Sequence, residues 1–195
     1  LRRTCRRSNC TVQHERRPTV PDELVGCWQR AWIEHADGTR DDTSLVIWLQ
    51  LGSDMADVRL PADRGSVAAR RGFDECDLDE LRAMADSESS SGFTACTPVT
   101  ADAGGVRRAT AEWFTGDDSV AFQPVSAFPE PGLLEWITDD VMIERAPSGA
   151  YVEEWRRLPG TRGPLRHLVD TTGRHVYVAG TAAVVVRDRP RPVAT

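Results

Sequence analysis

Residues 24–61 decide the fold, and they read LVGCWQRAWIEHADGTRDDTSLVIWLQLGSDMADVRLP. Three runs rich in β-branched and aromatic residues are separated by two turns, one containing Asp37 and Gly38 and the other beginning at Gly52. This pattern predicts an antiparallel meander with strands over 25–35, 45–51 and 55–60. Pro61 ends the third strand because proline has no backbone N–H to donate to a ladder.

The rest of the chain continues in the same way, with short apolar runs between turn signals. Further strands are predicted over 92–98, 109–114, 119–124, 133–136, 141–145, 151–158, 167–170 and 175–187. One short helix is predicted over 77–86, since acidic residues occupy its first turn and apolar residues recur at helical spacing. The fold class is therefore mainly β, and we expect an antiparallel barrel of roughly eight to ten strands. A closed barrel is favoured over a sandwich because few devices that protect a sheet edge are visible.

The composition fits a single globular domain of 195 residues, 40% of them hydrophobic and 28% charged. The first 21 residues contain six arginines and one acid and lack hydrophobic periodicity. We therefore expect a disordered basic tail over 1–21, a barrel domain over 22–189 and a disordered end over 190–195.

Charge and residue usage exclude several classes of function. The sequence contains no lysine, which excludes Schiff-base enzymes and P-loop nucleotidases. The net charge of −6, combined with the basic tail, leaves an acidic body that argues against nucleic-acid binding. No apolar run approaches the ~20 residues of a membrane helix. Nothing in the chain predicts an oligomeric state.

Cysteine and histidine spacing predict neither disulfides nor a metal site. Five irregularly spaced cysteines do not form a disulfide framework, so we expect a reducing compartment, the cytoplasm. The four histidines lack metal-binding spacing, and we expect neither a metal nor another cofactor. His175 is the one candidate for a lone haem ligand inside the barrel, although an exposed position at a strand end fits it better.

Several motifs carry a resemblance to a known family. Gly26-x-Trp28 resembles the motif that opens calycin barrels, the lipocalin superfamily. The fuller series is similar to the Hri family of fungi and its bacterial relatives: GCWQR (26–30), VIWLQL (46–51), ADVRLP (56–61), AEWF (111–114), VMIE (141–144) and YVEEWRRL (151–158). The resemblance covers residues 24–187 and implies a calycin-like barrel, but no activity, because the family has no firmly established reaction. Where relatives lead us to expect a Trp-His-Arg segment, this chain has Trp113-Phe114-Thr115, so a function that needs that histidine would be absent.

All six tryptophans fall on predicted strands, and a barrel sends about half of its strand side chains inward. Trp28 is predicted to plug the closed end beneath an arginine. The side chains predicted to line a ligand pocket combine aromatic walls with a few polar groups: Trp48, Gln50, Arg59, Trp113, Glu144, Tyr151, Glu153 and Trp155. In this pocket Arg59 could grip a carboxylate through two hydrogen bonds.

Three functions fit this pattern. The first is binding of a small apolar or amphipathic ligand with an acidic or polar end. The second is an isomerase or cyclase acting on a polyene or keto acid, with Glu153 or Glu144 as the acid or base. The third is a protein-interaction module whose barrel is filled with side chains, since inward aromatics and an Arg–Glu pair also occur in ordinary cores.

Overall fold

The computed structural model describes residues 19–62, 72–85, 89–115 and 130–187. This part of the chain contains thirteen strands and one α-helix, α1 (Leu78–Ala85), which follows a 3-10 turn at Phe73–Glu75. The strands are β1 (Gly26–His35), β2 (Arg40–Asp41), β3 (Leu45–Gln50), β4 (Asp54–Leu60), β5 (Ser90–Cys96), β6 (Thr100–Ala101), β7 (Arg107–Phe114), β8 (Gly132–Trp136), β9 (Val141–Arg145), β10 (Tyr151–Arg157), β11 (Leu165–Val169), β12 (Arg174–Ala179) and β13 (Ala182–Arg187).

Eight of these strands form a closed antiparallel barrel, which confirms the predicted fold class. Neighbouring strands pair in the order β10-β9-β8-β7-β5-β4-β3-β1, and pairing of β1 with β10 closes the ring. The short strands β2 and β6 extend β1 and β7 at the rim. The predicted helix over 77–86 is present as α1.

The barrel interior is the main hydrophobic core, and its residues alternate with outward-facing ones along each strand. On β3, Val46 and Trp48 face inward while Leu49 faces outward. The core cluster consists of Val20, Leu24, Val25, Trp28, Val46, Trp48, Met55, Ala109, Ala111, Trp113, Leu134, Trp136, Met142 and Trp155.

A bulge in β1 breaks the simple alternation predicted for that strand. Arg30 lies opposite Trp155 and Ile33 lies opposite Glu153, with a register shift between Arg30 and Trp32. The extra residue turns Ile33 inward and Trp32 outward, whereas alternation placed Trp32 on the same face as Trp28. On the outside, Arg40 lies 4.2 Å above the Trp32 ring.

The last three strands form a separate sheet, which corrects the prediction of one long strand over 175–187. A turn at Gly180 and Thr181 divides that segment into β12 and β13, and β11 pairs with β12. The inner face of this sheet contributes Tyr177, Ala179 and Val186 to a second hydrophobic cluster, together with outward-facing residues of the barrel such as Leu49 and Cys27. The sheet therefore covers part of the outer barrel wall.

A chain of polar side chains joins this sheet to the barrel. The Nδ1 atom of His167 lies 3.0 Å from Oδ2 of Asp54, and its Nε2 lies 3.0 Å from Nδ1 of His175. The Tyr177 ring stacks on His167 at 4.2 Å between centroids. His175 thus lies outside the barrel and is partly buried, so neither the interior haem-ligand position nor the exposed position is correct.

The start of the domain also differs from the predicted boundary at residue 22. Val20 is 6% exposed and belongs to the core cluster, and its N–H donates to the Gly52 carbonyl at 2.6 Å. Residues 1–18 and 188–195, and the strand predicted over 119–124, lie outside the described residues. Within the described ranges, Cys27, Cys76 and Cys96 are free thiols, and no helix there has both the length and the apolarity needed to cross a membrane.

Trp28 closes one end of the barrel as predicted, with the Arg157 guanidinium 4.1 Å above its ring. The Trp28 Nε1–H donates to the Leu24 carbonyl at 2.8 Å. Arg157 also donates to the carbonyl of Val25 and to Oδ1 of Asp140. The aromatic face and the oxygen acceptors offset part of the cost of burying this cation, although burial still lowers the pKa of Arg157 to about 10.

Gly26 is required for this closed end by both conformation and space. Its φ is 135°, and a Cβ atom there would lie 2.9 Å from Nη1 of Arg157. We expect Gly149→Ala to lower the free energy of unfolding by only ~1–2 kcal/mol, the cost of placing an alanine in the left-handed conformation. The φ of Gly149 is 76°, and nothing lies within 4 Å of the added Cβ atom. Gly26→Ala should lower the free energy of unfolding by a further ~1–3 kcal/mol, because its Cβ atom would overpack against Arg157. Urea denaturation of both variants measures the difference, and equal losses would show that Arg157 is not constrained by Gly26.

Candidate functional site

A recess lies among the inward-facing side chains of the barrel, toward the end at which β4, β7 and β9 terminate. Three indole rings and three charged groups line it: Trp48, Asp57, Arg59, Trp113, Glu144 and Trp155. Five of these six residues belong to the set predicted from the sequence. The recess offers ≈ 10 Å³ for the centre of a water-sized sphere, which is room for about one water molecule.

Strand register brings these side chains together. Trp48 lies opposite Asp57 in the β3–β4 ladder, and Glu144 lies opposite Glu153 in the β9–β10 ladder. Residues directly opposite each other share a face of the sheet, so each pair points into the barrel. Gly132 on β8 leaves the necessary space, since a Cβ atom there would lie 2.5 Å from Trp113 and 2.9 Å from Oε1 of Glu144.

The three tryptophans pack edge to face. The Trp48 ring centroid lies 5.5 Å from that of Trp113 and 5.7 Å from that of Trp155, with planes inclined by 70° and 75°. Such geometry is favourable for aromatic rings and holds them rigidly. The recess therefore has fixed aromatic walls at nearly right angles to one another.

Both arginines at this end of the barrel are already paired. The Arg59 Nε–H donates to Oδ1 of Asp57 at 2.8 Å, and Arg30 donates to Glu153 and to Asp41, each at 3.0 Å. Burial opposes the charge on Arg59, but Asp57 and Glu153 outweigh this effect and raise its pKa. A ligand carboxylate would have to displace Asp57 before it could take the position expected for it at Arg59.

Glu144 differs from the other buried carboxylates because its hydrogen-bond donors are neutral. The Tyr151 hydroxyl donates to Oε1 and the Trp155 Nε1–H donates to Oε2, both at 3.0 Å. Burial raises the pKa of Glu144 to about 8, the charge of Glu153 adds to this, and the hydrogen bond from Tyr151 opposes it. At neutral pH this carboxyl group therefore retains its proton.

Burial also raises the pKa values of Glu153 and Tyr151, the two neighbours of Glu144. Burial raises the pKa of Glu153, although Arg59 and Arg30 oppose the shift. Burial and the nearby Glu144 raise the pKa of the Tyr151 hydroxyl, which thus stays protonated and acts as a donor. Tyr151 and Glu153 adjoin the recess but do not line it.

Gln50, the remaining predicted residue, has a structural role. Its Oε1 accepts from Trp48 Nε1 at 3.1 Å and from the Thr94 hydroxyl at 2.7 Å, and its Nε2 donates to backbone carbonyls including that of Leu51. Gln50 is fully buried, and both its amide oxygen and its amide nitrogen are hydrogen-bonded within the protein, so it cannot bind a ligand. Gln50 instead fixes the orientation of Trp48.

Sequence reasoning missed Asp57 and Arg30 as site residues. Both are buried polar residues. Alternation along β4 places Asp57 on the face of Arg59, and alternation along β1 places Arg30 on the face of Trp28, so the signal was present. Arg30 gave no reason to be chosen, because its partner Glu153 lies on another strand and is visible only once the register is known. Asp57 is paired with Arg59 two residues along the same strand, so that pair could have been found from the sequence.

Glu144 should make the stability of the protein depend on pH. Because the folded protein binds this proton more tightly than the unfolded chain, the contribution is greatest below the ordinary pKa of 4.5 and is lost as pH rises to about 8. We therefore expect Glu144→Gln to gain stability relative to wild type across this interval, by up to ~1.4 kcal/mol per pH unit. Chemical denaturation across that interval measures the gain. The exposed Glu34→Gln serves as control and should show a constant difference, and a constant difference for Glu144→Gln as well would contradict the assignment.

In comparisons with known proteins, no family model, no curated protein and no solved structure matches the chain. The resemblance to the Hri family therefore stays a prediction from the motifs.

Proposed function

We propose that this protein binds a small amphipathic ligand, with the polar head of the ligand in the recess beside Trp48. The observation that carries this proposal is the coincidence of a recess, three indole walls and a group of buried charges. Asp57, Glu144 and Glu153 are each 4% exposed. Buried carboxylates cost stability that apolar side chains would not, so such a group is typical of a functional site.

The size of the recess defines which part of a ligand could enter it. Space for about one water molecule suits a head group of one or two heavy atoms. A retinoid or a tetrapyrrole ring would not fit between these rings without displacing them. The proposal therefore assigns to this recess a small polar head group rather than a bulky apolar body.

Trp155→Phe tests the proposal because it keeps an aromatic wall and removes one donor to Glu144. Calorimetric titration against short amphiphiles, fatty acids, retinoids and tetrapyrroles identifies a ligand, and the variant should bind it roughly 2- to 10-fold more weakly, as expected for one lost hydrogen bond between neutral groups. Trp32→Phe is the matched control, because Trp32 lies outside the barrel, and its affinity should equal that of wild type. Failure of the whole panel to bind, or equal loss in both variants, would contradict the proposal.

A second candidate is acid–base catalysis, which the pair Glu144 and Glu153 favours. These residues are directly opposite each other, yet Glu153 pairs with Arg30 while Glu144 accepts only from neutral donors. Two carboxyl groups in different surroundings can divide the roles of acid and base. In this reading Glu144 is the acid for isomerisation or cyclisation of a polyene or keto acid.

Turnover assays distinguish this second candidate from simple binding. If a substrate is found, Glu144→Gln and Glu153→Gln should each lower kcat by at least ~100-fold, the usual contribution of a general acid or base. Glu34→Gln should retain wild-type turnover. Turnover that persists in Glu144→Gln would eliminate this assignment while leaving ligand binding unaffected.

The small volume of the recess also supports the third possibility, an interaction module with a filled barrel. The outer face of the second sheet carries exposed apolar side chains, with Leu168 55% and Val185 60% exposed. Both lie in register with Val176 between them. Absence of any ligand in the calorimetric panel would favour this role.

We propose the cytoplasm as the compartment in which this binding occurs. Cys27, Cys76 and Cys96 are free thiols, and free thiols persist in reducing surroundings. Burial raises the pKa of Cys27 to about 11 and that of Cys96 to about 12. These two thiols stay protonated at neutral pH, which makes a thiolate nucleophile an unsuitable basis for function here.

A further inference from the structure

The hydrogen-bond donors and acceptors around the recess are not equally occupied. Arg59 donates to Asp57, Trp48 donates to Gln50, and Trp155 donates to Glu144. Each carboxylate, by contrast, can accept about four hydrogen bonds, and Glu144 receives two from the described residues. Glu144 therefore has acceptor capacity to spare, while Nε of Arg59 and Nε1 of Trp48 and of Trp155 donate to groups of the protein itself.

The charges are also unequal. Arg59 is matched by Asp57 and Arg30 is matched by Glu153. In the described part of the chain no arginine forms an ion pair with Glu144, although this side chain is 4% exposed. Arg59 favours the charged form of Glu144 without forming an ion pair with it, but burial outweighs this effect and raises the pKa of Glu144. A positively charged ligand group in contact with Glu144 would favour its carboxylate form.

An unsatisfied hydroxyl lies beside the same charges. Ser90 on β5 is directly opposite Asp57. Its Oγ is buried and has no hydrogen-bond partner among the described residues. Buried hydroxyl groups are nearly always hydrogen-bonded, so a polar group that the described residues do not supply belongs near this position.

The aromatic walls fit the same kind of ligand. Indole faces attract cations within about 6 Å of the ring centroid, and the rings of Trp48, Trp113 and Trp155 all line the recess. A primary ammonium group has one heavy atom and three N–H donors. Its size matches the recess, and its donors match the free acceptor positions of Glu144.

We infer that the head group bound in this recess is a primary ammonium, held by the carboxylate of Glu144 and by the indole walls. This inference rests on the proposed function and gives its ligand a charge. A primary ammonium takes the place of the acidic head group that the sequence predicted at Arg59, because that guanidinium is already bound to Asp57. In binding, the ammonium displaces the proton of Glu144 into solvent, so the charge of the recess is unchanged.

Three probes that share a propyl tail test this inference on the full chain: propylammonium, 1-propanol and butyrate. The readout is the indole N–H resonance of Trp155, because this group donates to Glu144. Propylammonium should shift the resonance with an affinity at least ~10-fold above that of either other probe, as expected for one added charge-assisted hydrogen bond. Its affinity should also rise by up to ~10-fold per pH unit below about pH 8, since Glu144 must lose its proton.

Glu144→Gln should abolish both the preference for the ammonium and its pH dependence, whereas Glu34→Gln should keep both. Tighter binding of butyrate or 1-propanol than of propylammonium by the wild-type protein would overturn the inference and leave the proposed function standing. Failure of all three probes, together with failure of the amphiphile panel, would overturn both. The comparison of probes uses wild-type protein, so it does not depend on how any variant folds.

Discussion

Pairing of β1 with β10 is the constraint on which the rest of the structure depends. It converts a meander of eight strands into a ring, and only in a ring do alternate side chains of distant strands meet along one axis. Trp155 on β10 meets Trp48 on β3 for this reason. Without closure the same residues would form the face of an open sheet, and the buried charges would have no common interior.

The barrel interior is divided between two kinds of packing. At the closed end, the Arg157 guanidinium lies against Trp28 and the Gln50 amide is hydrogen-bonded at both its oxygen and its nitrogen. The Trp136 Nε1–H has no partner among the described residues. Toward the other end, carboxylates outnumber the guanidinium groups that neutralise them. Since an interior charge stabilises only when matched by partners, the closed end favours stability, and the recess is where we propose that a ligand binds. The contrast within one barrel is the main physical argument for a binding site.

The outer wall of the barrel is partly covered by the second sheet, which affects the sequence of β3. The second sheet covers β3 with Tyr177 and Ala179, and this contact allows apolar residues on both faces of β3. A strand covered on both faces reads as a continuous apolar run rather than as an alternating one. The apolar run from Val46 to Leu49 is thus explained by the fold as a whole, whereas Leu45 at the start of the strand is 41% exposed.

The sequence by itself determined the secondary structure of most of the barrel, because a β-strand is specified locally by period-two alternation and by turn residues. It also determined most of the recess, since Trp48, Arg59, Trp113, Glu144 and Trp155 follow from alternation within strands. Only the tertiary structure decided how these residues are paired. The bulge in β1, the split of 175–187 into two strands and the pairing of Arg30 with Glu153 each depend on cross-strand register. Register is a relation between distant segments, and no local pattern contains it.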